Sequence, residues 1–274
     1  MTLYVVVLVS LFVISPSSGL SYKLACFTRS QQQQYKQRQQ LRQRCLRMSA
    51  ASASFKLYGN QGTRSPLVNW YLEEINAPYE QIDATRVDRS SYASDGSGYP
   101  HPFGSIPAAA DAGGVQLFES GAILMFIADK YGGLDTPEKR AAVSKWIFWA
   151  NASLDPICFK ENDRGQVIGT RLTESPRAIA VLEELLGKSE WILGDGEDSF
   201  SAADVAIGSY VLYALLFNRG LQIAPQYPNL ARYCEKCARR RAYQQAFTPE
   251  VAAMLAERSI AGMESGGGKM FGLF

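Results

Sequence analysis

The stretch from Gly104 to Ile123 limits the folds open to this 274-residue chain more than any other. Gly104-Ser105-Ile106-Pro107-Ala108 reads as a strand entered through an Ile-Pro bond. Leu117-Phe118-Glu119-Ser120-Gly121-Ala122-Ile123 reads as a strand that ends in Glu-Ser and turns straight into a helix. Ala112-Gly113-Gly114 supplies a hairpin turn between them. The Ile106 strand is expected at a sheet edge, where unpaired backbone groups are open to an extended peptide. A helix N-terminus capped by Ser120 offers free N–H groups and a partial positive charge to a carboxylate. A ligand with a peptide backbone and a free carboxylate satisfies both.

Upstream, Phe55 to Tyr58 forms a short strand and Gly59-Asn60-Gln61-Gly62 a loop. Ser65-Pro66 opens a helix, with Ser65 as N-cap and Pro66 at the first helical position. Leu67, Val68, Tyr71, Leu72 and Ile75 make its buried stripe, and Ala77-Pro78 ends it. Tyr79 to Ile82 alternates as a second strand. Two strands joined by a helical crossover imply a parallel βαβ unit. A Ser/Gly/Tyr-rich loop over 86–104 leads to the two strands already described. The order βαβ-loop-ββα is that of a thioredoxin-like domain over residues 55–132.

A second, all-helical domain is expected over 136–260. Thr136-Pro137-Glu138 caps a helix whose Val143, Trp146, Ile147, Ala150, Leu154 and Ile157 recur at helical spacing. Ser175-Pro176 starts another, with Ile179, Leu182, Leu185 and Leu186 inward and Gly187 as its stop. Phe200-Ser201-Ala202-Ala203-Asp204-Val205 is a capping box with its hydrophobic staple, which makes Asp204 a structural acid rather than a catalytic one. No strand alternation follows. Residues 261–274, with Ser265-Gly-Gly-Gly268, read as a flexible tail.

Charge is divided unevenly along the chain. Of its 28 basic and 26 acidic residues, residues 1–54 hold seven bases and no acid; Glu73 is the first acid. The remainder is net acidic, which gives no support for nucleic-acid binding. Leu3 to Ile14 is an uncharged apolar run, too short to span a membrane and suited to a signal-peptide core, with cleavage near Gly19 or Ser21. Residues 22–54 are Gln-, Arg- and Ser-rich and cannot bury enough apolar surface to fold. Together, 1–21 as signal peptide and 22–54 as a transit-like leader resemble the bipartite address of algae whose plastids lie inside the endomembrane system. Secretion, or retention in the endomembrane lumen, is the alternative, and Met48 is a possible internal start.

Other residues invite chemistry and are read more plainly. The single histidine, His101, lies between prolines in a rigid loop, and its being alone excludes a His-rich metal site. Five cysteines are too few for a disulfide scaffold; Cys26 and Cys45 fall in the leader. Cys234 and Cys237 share one apolar helix face with Leu230 and Tyr233 and read as buried thiols. Asn151-Ala152-Ser153 is a glycosylation sequon placed mid-helix, where burial is the expected reading. No metal site is expected.

Five strings in the first domain carry a family resemblance. Lys56-Leu57-Tyr58-Gly59, Trp70-Tyr71-Leu72-Glu73-Glu74, Pro78-Tyr79-Glu80, His101-Pro102-Phe103-Gly104 and Leu117 to Ile123 look like soluble glutathione S-transferases in order and spacing. The run Val68 to Glu74 is most similar to the cyanobacterial chi class. The capping box extends the resemblance to about residue 250. The resemblance implies conjugation of glutathione to hydrophobic electrophiles, with glutathione peroxidase activity as a companion. Glutathione is then a co-substrate, no cofactor is bound permanently, and the protein is a homodimer with no membrane span in the mature chain. It also implies that Ile106 pairs its backbone with the cysteinyl part of glutathione, with Pro107 cis, and that Glu119 and Ser120 hold the γ-glutamyl end. Ser105 stands where the family commonly has lysine, so the glycine end is left unassigned. Tyr58 matches the tyrosine of some classes loosely and is read as a packed aromatic.

The chemistry such an enzyme needs is a thiolate. A free thiol titrates near 8.5, and lowering that by about two units takes roughly 2.7 kcal/mol of preferential anion stabilisation. A helix N-terminus supplies about 0.3–2 kcal/mol, so a hydrogen-bond donor worth about 1.5–3 kcal/mol has to stand beside it. Thr63, Arg64 and Ser65 occupy that position, expected in that order of importance. No cysteine lies between Gly59 and Leu67, which argues against a mixed-disulfide mechanism. The competing reading is a non-catalytic relative that carries a hydrophobic ligand or serves as an assembly subunit.

Overall fold

β1 (Phe55–Gly59), α1 (Ser65–Glu74) and β2 (Tyr79–Asp83) form the expected βαβ unit in the computed structural model, which describes residues 55–164 and 166–263. β1 and β2 are parallel, with Phe55 opposite Tyr79 and Gly59 opposite Asp83. β3 (Ala108–Ala110) runs antiparallel to β1, and β4 (Gln116–Phe118) antiparallel to β3. The sheet order is therefore β2-β1-β3-β4. The hairpin between β3 and β4 closes where the Gly114 N–H donates to the Asp111 carbonyl at 2.9 Å. Gly114 has a φ of 83°, a conformation glycine adopts without steric cost. α2 (Ser120–Lys130) follows β4 directly.

The edge-strand expectation needs correction. β3 lies inside the sheet, flanked by β1 and β4, so the edges are β2 and β4. Ile106 and Pro107, joined by a cis peptide, precede β3. No hydrogen bond among the described residues takes up the Ile106 N–H or C=O. The unpaired backbone is present because the chain has not yet entered the sheet, not because the sheet ends there.

α1 is buried on every side from Ser65 to Leu72, where a single stripe was expected. One side faces the sheet, and α8 (Arg241–Phe247), from the helical domain, covers another. The Trp70 ring meets the Tyr243 ring edge-on at 4.9 Å. A helix covered on all sides loses its amphipathic signature.

The helical domain opens with α3 (Pro137–Trp149), capped by Thr136, whose hydroxyl accepts from the Lys139 N–H at 3.3 Å. The apolar spacing predicts one helix through Ile157. The structure instead inserts a π-helical turn at Ala150–Leu154 before α4 (Asp155–Cys158). Pro156 has no N–H to continue the regular ladder, so the turn widens at this point. β5 (Lys160–Glu161) and β6 (Val167–Gly169) then make a small hairpin that no alternation announced. In α5 (Arg177–Leu186), Ile179, Leu182 and Leu186 are buried, but Leu185 is exposed rather than inward.

α6 (Ala202–Phe217) is the central helix, buried from Ala202 to Leu215. Its capping box forms: the Ser201 N–H donates to Asp204 Oδ2 at 3.0 Å, and the Ala203 N–H to Ser201 Oγ at 3.2 Å. α7 (Pro228–Arg239), α8 and α9 (Pro249–Ser259) complete the domain. No helix of the described residues is long and apolar enough to cross a membrane. The signal and transit-like readings of 1–54, with Cys26, Cys45 and Met48, lie outside the described residues, as does the tail from residue 264 on.

Candidate functional site: two helix N-termini braced by one helix

The structure brings Thr63, Arg64 and Ser65 together at the start of α1, in roles that differ from those expected. Ser65 is the first helical residue, not the N-cap; Arg64 occupies the cap position and its own side chain makes no cap bond. Ser65 is fully buried against Gly59, where an added Cβ would stand 1.6 Å from Ser65 Oγ. Only glycine permits that approach, so the β1-to-α1 loop is drawn tight over the serine.

The Thr63 hydroxyl is saturated. It donates to the Asn60 carbonyl at 2.9 Å, accepts from the Ser65 N–H at 3.1 Å, and lies 2.9 Å from Ser65 Oγ. A hydroxyl has one proton and two lone pairs. With its proton on Asn60, Thr63 accepts from both Ser65 groups and has no donor left.

Arg64 differs. Its Nη2 stands 2.9 Å from Asp155 Oδ1 and 2.8 Å from Oδ2. The guanidinium lies 5.8 Å from the Phe159 ring centre and 5.7 Å from that of Tyr210, within the range of a cation–π contact. Nε and Nη1 have no partner among the described residues. Burial raises the Asp155 carboxyl above the usual range, while Arg64 pulls it back down.

At the start of α2, Glu119 rather than Ser120 is the cap residue, again without a side-chain cap bond. Glu119 has a φ of 66°, unusual for a residue with a side chain. Its carboxylate makes no hydrogen bond or ion pair among the described residues, and it acts on His101 by charge alone. Ser120 is buried, with its hydroxyl at the Tyr210 phenol. Burial pushes that phenol up to about 12, and its O–H donates to Asn151 Oδ1 at 2.8 Å. Gly121 completes the fit: a Cβ there would stand 2.3 Å from Asn151 Nδ2.

One helix therefore supports both ends. Tyr210 of α6 reaches the α2 terminus through Ser120 and Asn151. Tyr213, one turn on, donates its O–H to the Thr63 carbonyl at 3.0 Å. Sequence reasoning missed Asn151, Asp155, Tyr210 and Tyr213 as site residues. The available signal was a pair of tyrosines three apart in an otherwise apolar helix, since buried phenols need hydrogen-bond partners.

The loop before β3 supplies further groups. Arg89 Nη1 donates to the Gly104 carbonyl at 2.9 Å, and no carboxylate pairs with Arg89 among the described residues. His101 is buried, accepts from the Phe103 N–H at Nδ1 (3.1 Å), and packs on Phe118; burial lowers its pKa. Tyr58 is a packed aromatic, edge-on to Tyr99 at 5.5 Å.

Residues read as structural are structural here. Cys158, Cys234 and Cys237 are free and buried, which pushes their thiols up. Asp204 accepts from the Ser201 and Ile192 N–H groups in the core. Asn151, expected to be buried, is half-buried, and its Oδ1 accepts from Tyr210.

Residues 53–129 match the family described as Glutathione S-transferase, N-terminal domain, and residues 167–236 its C-terminal domain. The chain is 31% identical over 201 residues to Glutathione S-transferase GstB of Escherichia coli, covering 68% of this chain and 93% of that protein. Among solved structures, a glutathione transferase of Burkholderia graminis with two glutathione molecules bound per subunit aligns with a TM-score of 0.55 at 26% identity, over 72% of this chain and 88% of that one. A family member from Pseudomonas fluorescens, also with two glutathione bound, aligns equally well over 71% and 92%.

Proposed function

The chain belongs to the glutathione S-transferase family and is a transferase that joins glutathione to electrophilic small molecules; we propose that its two braced helix N-termini divide that work. The α2 end anchors: the Glu119 carboxylate takes the ligand's ammonium, and the α2 amides with Ser120 take its α-carboxylate. The unpaired Ile106 backbone holds the cysteinyl unit. Arg89, beside Gly104, takes the glycine carboxylate, the contact that Ser105 cannot make.

The α1 end activates. Glutathione's thiol gives its proton to water, and the resulting thiolate is held by the α1 N-terminus and by Nε and Nη1 of Arg64. The thiolate then forms a carbon–sulfur bond with the electrophile as its leaving group departs, or adds across a polarised double bond. The observation that carries this reading is the contrast between a saturated Thr63 hydroxyl and an Arg64 guanidinium with unpaired donors. It reverses the order expected from sequence, in which Thr63 came first.

The same thiolate chemistry reduces organic peroxides, a companion activity we assign to this site. The run Val68 to Glu74 supports the chi-class reading. The exposed Phe103 and Phe118, on the 86–104 loop and β4, support a homodimer in which another copy covers them. The leader composition supports a plastid destination. The purified chain should be retained on immobilised glutathione and should turn over a chlorinated aromatic or an isothiocyanate. Binding without turnover, and without any lowering of the bound thiol's pKa, would identify a non-catalytic carrier instead. Sedimentation as a monomer at micromolar concentration would refute the dimer. A fusion of residues 1–54 that stays in the endoplasmic reticulum of such an alga would refute the plastid address.

A further inference from the structure

Arg64 reaches across 91 positions of sequence to a single acid, Asp155, on the other domain. That acid is placed by an irregularity. The π-helical turn Ala150–Leu154 widens the chain just before α4, and Asp155 is the first residue after it. The same turn carries Asn151, the partner of Tyr210. Inserted π turns recur at functional sites, where they re-aim side chains that a regular helix would direct elsewhere.

The pair is unevenly placed. The Arg64 side chain is 44% exposed and that of Asp155 18%, so a largely buried acid holds a guanidinium that stays open to solvent. Asp155 also lines a cavity of about 230 Å³ with Phe159, Lys160 and Arg171. Both carboxylate oxygens fall on one nitrogen, Nη2, where a fork-to-fork pairing would have occupied two. The clamp holds the guanidinium while leaving Nε and Nη1 unpaired. A long, flexible arginine left without it would lose much of its preorganisation for sulfur.

We propose that Asp155 is a positioning residue for the transfer reaction, fixing the Arg64 guanidinium by Nη2 so that its remaining donors meet the glutathione sulfur. This rests on the reading of Arg64 as the thiolate's donor.

The sign of one effect separates positioning from simple electrostatics. Removing a negative charge near the sulfur would by itself lower the thiol pKa and favour the thiolate. Loss of positioning does the opposite.

The test uses the full chain as wild type, Asp155→Asn, Asp155→Glu, Arg64→Ala and the Arg64→Ala/Asp155→Asn double variant. Bound glutathione is titrated by ultraviolet absorbance, and kcat and KM are measured separately. Asp155→Asn should raise the bound thiol's pKa and lower kcat about five- to tenfold, with glutathione KM within about twofold. Asp155→Glu should recover part of the loss, and Asp155→Asn should add nothing once Arg64 is gone. A lowered or unchanged thiol pKa in Asp155→Asn, while Arg64→Ala raises it, overturns the positioning role alone. So does an equal loss with and without Arg64. A wild-type thiol pKa in Arg64→Ala overturns the reading of Arg64, and the role of Asp155 falls with it.

Discussion

The starts of α1 and α2 are built alike and equipped differently. Each begins at a buried serine, each leaves its cap position without a side-chain bond, and each rests on a tyrosine of α6. At α1 the cap residue is a cation, Arg64, tied to the other domain by Asp155. At α2 it is an acid, Glu119, held at positive φ by its own domain, with no partner among the described residues. The difference teaches where the second domain matters. The proposed anchoring groups Ile106, Glu119 and Ser120 all belong to the first domain, whereas the proposed activating group, Arg64, is paired with a residue the first domain does not contain. Binding and activation should therefore respond separately to mutation.

The largest expected effects are a crossed pair. Arg64→Ala removes a charged donor worth about 1.5–3 kcal/mol, or about ten- to 150-fold, and the loss should fall on kcat with glutathione KM nearly kept. Glu119→Ala should place a loss of the same order on glutathione KM and leave kcat at saturation nearly intact. Steady-state kinetics with glutathione varied would break the comparison if both variants moved the same parameter.

A smaller effect tests what lies outside the comparison. Asp204→Ala strands the half-buried Ser201 and Ile192 N–H groups at a cost of about 1–3 kcal/mol, which lowers Tm by about 2–4 °C per kcal/mol. Activity per folded molecule should hold. Burial raises Asp204 to about 6. Its protonated form is therefore favoured by folding. Its contribution is fully present below the ordinary carboxylate range and is lost as pH rises through about 6. Denaturant titrations at several pH values should show that loss in wild type and not in Asp204→Ala.

The smallest effects sharpen the comparison. Tyr213→Phe frees the Thr63 carbonyl, and Tyr210→Phe frees Ser120 and Asn151. Each removes about 0.5–1.5 kcal/mol, or about two- to tenfold. The first should act on kcat and the second on glutathione KM.

Much of the fold was legible because local signals agreed with it. Ser65-Pro66, Gly113-Gly114, Thr136-Pro137 and the Ser201–Asp204 box mark element boundaries through backbone chemistry that acts within a few residues. The proposed anchoring residues Ile106, Pro107, Glu119 and Ser120 sit close in sequence, before and after one hairpin, so their neighbourhood is readable for the same reason. At the proposed activating end the sequence places Thr63, Arg64 and Ser65 at the start of α1, but the bonding state of Thr63 and Arg64 depends on distant partners, since Asp155 is 91 positions from Arg64 and Tyr213 is 150 from Thr63. The burial of α1 on all sides, the π turn and the interior place of β3 were hidden likewise, because each is settled by an element elsewhere in the chain.

The division of labour is tested most directly by titrating the thiol of bound glutathione in wild type, Arg64→Ala and Glu119→Ala. A free thiol titrates near 8.5, roughly. Wild type should give a value well below that, Arg64→Ala a return toward it, and Glu119→Ala the wild-type value once saturated. A wild-type value in Arg64→Ala, with the shift abolished in Thr63→Ala instead, would contradict that division.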